Sequence, residues 1–404
     1  MRRLKTFSQC HRLLRLLEWT RVRRTDVLQF GGREPSGLRV LTDEFLVQCM
    51  PLAGESVNVR VLLESLFRGR LGRFGYYSTF VRRTRAKVVI IWHDTNLEAY
   101  QLSKHIGIPI ACIQNGIRID SAPPTGSGFF TNLSKQHGSK KPRVDTYFVL
   151  SESEKARLSQ FIDASFLVHG SLRANHFSST TICKSQSRKT KRIGFIVSFP
   201  NSNDVPSMRI VDNQHPFSSI NGQILSYSQY FAYDALVARA LLDLCTARGL
   251  EFAIIGKRSE SDRLEADFFS SNVAPYVSVL GHAKGDGYSV ASDFDYLVTI
   301  DSTLGFEMLG LGKPVAFLPN RLRFCGVEGP LTQLSFLDEL PSDGACWTSA
   351  VTEEAIKEFL GQWLDRQPSA DDSDVTAFKS RVISVDPGNS KLRSYLRDCI
   401  STSS

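Results

Sequence analysis

A series of short apolar runs, each stopping at a polar turn, constrains this chain more than any other feature. The runs are KVVIIW (87–92), IPIACIQ (108–114), TYFVL (146–150), RIGFIVSF (192–199), EFAIIG (251–256) and YLVTI (296–300). None alternates with polar residues, so each fits a strand covered on both faces, as in a parallel sheet. Stretches of helical length lie between them, including LEAYQLSKHIG (97–107), SESEKARLSQF (151–161) and FAYDALVARALLDLCTAR (231–248), the last stopping at Gly249. Strand and helix in alternation predict an α/β fold with Rossmann-like parallel sheets. A chain of 404 residues has room for two such domains.

The formal charge of +8 is concentrated at one end, because residues 1–40 hold ten Arg and Lys against Glu18, Asp26 and Glu34. The remainder is almost balanced, which argues against a nucleic-acid-binding face. The segment MRRLKTFSQCHRLLRLLEWTRVRR (1–24) has an amphipathic pattern that fits either a surface helix or peripheral contact with an anionic membrane. No apolar run reaches the ~20 residues of a spanning helix. The eight cysteines are scattered without a Cys-x-x-Cys pair, as expected of free thiols in a reducing cytoplasm. The eight histidines show no HExxH and no zinc-like spacing with cysteines, so no metal site is expected.

The most informative turn follows YLVTI. Asp301, Ser302 and Thr303 stand between that strand and a short helix, and Gly312-Lys313-Pro314 turns the chain into a second apolar strand. Unpaired N–H groups and the dipole at a helix start favour an anion, and open α/β sheets bind ligands beyond the carboxyl ends of their strands. Glu307 lies four residues after Thr303 and shares its face, while Leu304, Met308 and Leu311 are expected to pack down. The hydroxyls suit a phosphate and Glu307 suits sugar hydroxyls. The same spacing also fits an ordinary N-cap with a solvated glutamate.

The segment DSTLGFEMLGLGKPVAF (301–317) resembles the donor-binding segment of GT-B-type glycosyltransferases and of nucleotide-sugar 2-epimerases. A nearer resemblance is to the bacterial surface carbohydrate biosynthesis protein family. It extends to GESVN (54–58), Tyr76-Tyr77, IWHDTN (91–96), IQNGIR (113–118) and GSLR (170–173). That family usually has an apolar residue where His93 stands. The resemblance implies two Rossmann-like parallel-sheet domains facing a cleft, a GT-B-like arrangement. On this reading residues 1–40 are a basic extension, 41–176 an acceptor domain, 177–191 a linker, 192–366 a donor domain and 367–404 a tail that crosses back.

The activity so implied is metal-independent transfer of a sugar from a nucleotide-activated donor to a growing surface polysaccharide, free or lipid-linked, with no cofactor. A nucleotide-sugar 2-epimerase and a non-catalytic nucleotide- or glycan-binding scaffold are the alternatives. Donor contacts are expected from Asp301, Ser302, Thr303 and Glu307, from the cations Lys257 and Arg258, and from Ser198 and His282 at neighbouring strand ends. Lys257-Arg258 equally fits a solvated loop pair. Asp94 is the candidate proton acceptor, with His93 or Glu55 as replacements, although Asp94 also fits a cap for the helix expected from Leu97. Gln114, Asn115, Arg118, Ser171 and Arg173 are acceptor-side candidates, with Asn-Gly doubling as common turn chemistry. Residues 120–143, containing KQHGSKKPR, read as a loop insertion on that same side.

Overall fold

The computed structural model describes residues 17–32, 34–35, 37–52, 55–92, 94–117, 129–138, 140–180, 190–198, 216–220, 223–257, 263–281, 287–326, 342–369 and 372–402. The chain divides into two units. The first comprises Met1–Asn115, Leu133–His176 and Asp386–Ser404, the second Gly116–Asn132 and Phe177–Val385. Among the described residues no helix is long and apolar enough to cross a membrane.

The first unit is built on six strands, β1 (Val27–Phe30), β2 (Val47–Met50), β3 (Val88–Ile91), β4 (Ile110–Ile113), β5 (Arg143–Val149) and β6 (Asp163–Val168). Their order is β2-β1-β3-β4-β5-β6, and every pairing is parallel. β1, β3 and β4 are buried along their whole length, as continuous apolar runs require. One face packs Val27, Val88, Ile90, Ala111 and Phe148 against Leu392 and Leu396 of the terminal helix Ser390–Ser401. The Val, Ile, Leu and Phe side chains among them contribute about 1.5–3 kcal/mol each when buried, so the helix Ser390–Ser401 is an integral layer of the first unit. Arg393 adds ion pairs to Asp43 and Glu44.

Two expectations need correction here. The basic extension does not run to residue 40, because Val27–Phe30 is an inner strand between β2 and β3. LEAYQLSKHIG is not an α-helix but a 3-10 segment over Ala99–Lys104. Asn96 Oδ1 accepts the Glu98 N–H (3.0 Å), and the Tyr100 hydroxyl donates to the Asp94 carbonyl (2.9 Å), which ties the segment into a tight local turn.

The second unit holds β7 (Arg192–Ile196), β8 (Glu251–Ile255), β9 (Val279–Leu280), β10 (Tyr296–Thr299) and β11 (Val315–Phe317). The parallel order is β9-β8-β7-β10-β11. Helix Tyr227–Arg248 begins with a Ser226/Gln229 capping box and ends at Gly249 in the left-handed region (φ 64°). Its Val237 and Leu241 share a core with Ile254, Val298, Ile356 and Leu360. Between β7 and this helix the described residues form an antiparallel ribbon, Pro216–Ile220 with Gln223–Ser226.

Candidate functional site

In the second unit the chain leaves β7 toward β8 on one side and reaches β10 and β11 on the other. The strand order therefore reverses between β7 and β10. Such a reversal opens a crevice beyond the carboxyl ends, where doubly wound sheets bind ligands. Ser198 follows β7 and Ser302 follows β10, so both half-buried hydroxyls flank this point. Ser302 is the N-cap of helix Thr303–Gly310, yet its side chain makes no capping hydrogen bond. Its backbone N–H instead donates to Thr299 Oγ1 (3.2 Å), and Thr299 Oγ1 donates to the Ile196 carbonyl (2.9 Å). Thr299 thus stitches the two strand ends together.

The helix itself is buried almost all round. Phe306, Met308 and Leu309 are fully buried while Leu304 and Leu311 are only half-buried, which replaces the expected packing stripe. Phe306 stacks on Phe317 of β11 at 4.4 Å. Glu307, expected near the mouth, is buried. Gly305 fits because a Cβ there would lie 2.4 Å from Thr299 Cγ2, so only glycine lets the helix approach the strand.

Asp301 is not simply presented to a ligand. Its Oδ2 accepts from Arg321 Nη1 (2.6 Å), and Arg321 makes a bidentate pair with Asp234 through Nε and Nη2 (both 2.8 Å). Arg321 is buried against the Tyr230 and Phe231 rings, each centroid 5.1 Å away. Burial pulls its pKa down, but the facing Asp234 and Asp301 carboxylates push it well above the usual arginine value. Asp301 Oδ1 is buried with no hydrogen-bond partner among the described residues. Asp234 and Arg321 were not singled out from sequence. The available signal was a lone acid inside the apolar FAYDALVARALL and an arginine just past the last apolar strand.

Lys257 follows β8 on the same edge, two strand spacings or about 10 Å from β10. Its side chain is exposed, and its backbone N–H donates to the buried Glu265 (2.9 Å). Arg258 and His282 lie outside the described residues, as do His93 and Arg118.

The carboxyl edge of the first unit is organised differently. Asp94, just past β3, is fully buried, with Oδ2 accepting from Tyr147 (3.0 Å) and Oδ1 from the Asn115 N–H (3.3 Å). It caps no helix. Gln114 is also turned inward, accepting from the Leu150 N–H (3.0 Å) and donating to the buried Glu154. Glu55 Oε2 accepts the N–H groups of Gly32 (2.9 Å) and Leu52 (2.8 Å), which holds the turn after β1. Asn115 is exposed, Ser171 is buried, and the exposed Arg173 lies over the Trp92 ring at 5.7 Å. Of residues 120–143, those at 120–128 lie outside the described residues, Phe129–His137 is a helix rather than a loop, and Lys140–Arg143 lead into the start of β5 at the amino edge of the sheet. Among the described residues no group of three His, Cys, Asp or Glu is arranged to hold a metal.

A family described as "putative O-antigen biosynthesis protein" matches residues 111–400, most of the chain. No curated protein matches. The solved structure of the wall teichoic acid polymerase TagF is similar with a TM-score of 0.54 at 12% identity, covering 94% of this chain and 90% of that chain. A co-structure of S. aureus MnaA with UDP gives 0.50 at 11% identity, covering 92% of this chain and 97% of that chain. A "putative UDP-N-acetylglucosamine 2-epimerase" of Listeria monocytogenes gives 0.52 at 10% identity, covering 94% and 97%. At these identities the likeness establishes the fold, a GT-B-like pair of Rossmann-like domains.

Proposed function

The chain belongs to the O-antigen biosynthesis protein family, and from that premise we propose that it transfers a sugar from a nucleotide-activated donor to a growing surface polysaccharide. The observation that carries this reading is the reversal point of the second sheet. There Ser198 and Ser302 flank one crevice, and the Ser302 hydroxyl heads a helix start that it does not cap. The donor phosphates bind that start through Ser302, Thr303 and backbone N–H groups. Glu307 holds ribose hydroxyls. Lys257, together with Arg258 and His282, neutralises charge on the departing phosphate, so that no metal is required. The Arg321 pair holds Asp301 in position beneath the turn.

The acceptor binds at the ends of β3 and β4 through Asn115 and Arg118. Asp94 has both oxygens engaged, so it acts as a positioning residue for the Asn115 turn, and His93 takes the acceptor proton. The acceptor oxygen then bonds to the anomeric carbon as the bond from that carbon to the phosphate oxygen breaks. Peripheral contact of the basic first residues with the inner face of the membrane completes the proposal. The shared fold with a teichoic acid polymerase supports it. The fold shared with a protein titled as a 2-epimerase favours a second reading, epimerisation of the donor itself.

One experiment separates these. Purified protein is incubated with UDP-, GDP-, dTDP-, CMP- and CDP-sugars, with and without a glycan acceptor, and products are resolved by mass and NMR. Turnover only with acceptor supports transfer. Epimer without acceptor replaces it with the second reading, and binding without either product leaves a scaffold.

A further inference from the structure

The amino edge of the first sheet carries a feature that the transfer reading does not use. Pro109 precedes β4 and Arg143 opens β5, so both lie at the end opposite Asp94 and Gln114. β5 has seven residues, which separates the two edges by roughly 23 Å. A cavity of about 930 Å³ opens there, with Ile106, Pro109 and Tyr395 in its lining. Its walls carry Lys104, His137, Lys140, Lys141 and Arg143.

The lining carries four cations, Lys104, Lys140, Lys141 and Arg143, against the single carboxylate of Asp145. None of the three exposed cations Lys104, Lys140 and Arg143 forms an ion pair among the described residues. The one carboxylate in the lining, Asp145, accepts the Ile110 N–H at 2.8 Å and offsets one of the four cationic charges there. Lys141 donates to the Ser159 carbonyl (2.8 Å), which leaves its charge unneutralised. His137 Nε2 is buried without a hydrogen-bond partner among the described residues. Burial and the nearby Lys104 also lower the His137 pKa, a direction that an anion in the cavity would reverse. Cations and apolar groups in one lining, with a ring nitrogen left over, match a phosphate joined to a carbon body.

We propose that this amino-edge cavity binds the phosphate group of an organic phosphate, at a site separate from the donor crevice. The phosphate belongs either to a soluble metabolite or to a lipid headgroup, and the test distinguishes the two.

In the full chain, His137 ring resonances are followed by NMR during titration with pyrophosphate and with phosphatidylglycerol vesicles, with phosphatidylcholine vesicles as control. Wild-type protein is expected to show an upward shift of the His137 titration midpoint on binding. The exposed triple variant Lys104→Ala, Lys140→Ala, Arg143→Ala should weaken that response on the order of tenfold, and Gln136→Lys should tighten it several-fold. A response to pyrophosphate identifies a soluble phosphate. A response to phosphatidylglycerol alone, lost in the triple variant, identifies a headgroup. Silence of His137 toward both, or a triple variant that behaves as wild type, overturns the proposal. Nucleotide affinity should be unchanged in the triple variant, so this site and the donor crevice stand or fall separately.

Discussion

The two sheets share one design and use their carboxyl edges in opposite ways. In the first unit the polar side chains at strand ends are committed to their own backbone and to each other. Asp94 serves Tyr147 and the Asn115 N–H, Gln114 serves Leu150 and Glu154, and Glu55 serves Gly32 and Leu52. In the second unit the charged groups sit beneath the edge as Asp234, Arg321 and Asp301, while the hydroxyls of Ser198, Ser302 and Thr303 are half-buried above them. The first edge opens into a 3-10 turn after β3, whereas the second opens β10 into an α-helix. Of these two turns only the latter aligns α-helical N–H groups toward an anion; the first edge has its α-helix starts after β5 and β6, and the Ser151 side chain caps the first of them. An edge that fixes loop shape and an edge that receives charge thus differ in where their polar atoms are satisfied.

The largest expected effect tests the buried charges of the second edge. Arg321→Met leaves Asp234 and Asp301 facing each other without a cation. It should cost about 3–5 kcal/mol in urea unfolding of the second unit. A loss within about 0.5 kcal/mol would mean that the turn is held by packing alone, and the contrast between the edges would weaken.

The next effect belongs to the first edge. His169, just past β6, is fully buried beside Asn175 and Asp386, and burial depresses its pKa from 6.5 to about 4. Above pH 6.5 the ring is neutral in both folded and unfolded chains, and its contribution is fully present. As pH falls below that value the unfolded chain takes the proton first, so stability is lost until the folded ring titrates near 4. The loss across this window should reach about 3 kcal/mol. A flat stability profile between these limits, or one unchanged in His169→Gln, would contradict it.

Gly305→Ala should follow at about 1–3 kcal/mol. Alanine would normally help a helix by about 1 kcal/mol, but here its Cβ would lie 2.4 Å from Thr299 Cγ2. Steric conflict wins over propensity. The double variant with Thr299→Ser removes that methyl, keeps the hydroxyl for the Ile196 carbonyl, and should recover most of the loss. Failure of the rescue would place the strain elsewhere.

The parts of this arrangement that could be read in the sequence are those encoded by neighbours. Consecutive apolar residues marked β3, β4, β7, β8 and β10, and the polar interruption at 301–303 marked the helix start. Strand order was not legible, since no local signal says which side of β7 the chain will add to. β1 was hidden because four residues, VLQF, sit in an arginine-rich stretch. The Asp234–Arg321 pair joins residues 87 apart, so neither spacing nor periodicity announces it. The inward turn of Asp94 and Gln114 depends on Tyr147 and Glu154, which arrive from the next strand and its helix.

The smallest stability effect is the most discriminating for function. A serine N-cap replaced by alanine usually costs about 1 kcal/mol, because its oxygen accepts a helix N–H. Ser302 makes no such bond, so Ser302→Ala should leave unfolding free energy unchanged within about 0.5 kcal/mol. Nucleotide affinity should nevertheless fall roughly ten- to a hundredfold, the loss of one hydrogen bond to a charged phosphate. Calorimetric titration beside urea unfolding separates the two quantities. A variant that loses stability but not affinity would make Ser302 an ordinary cap, and the second edge would then be satisfied internally, as the first one is.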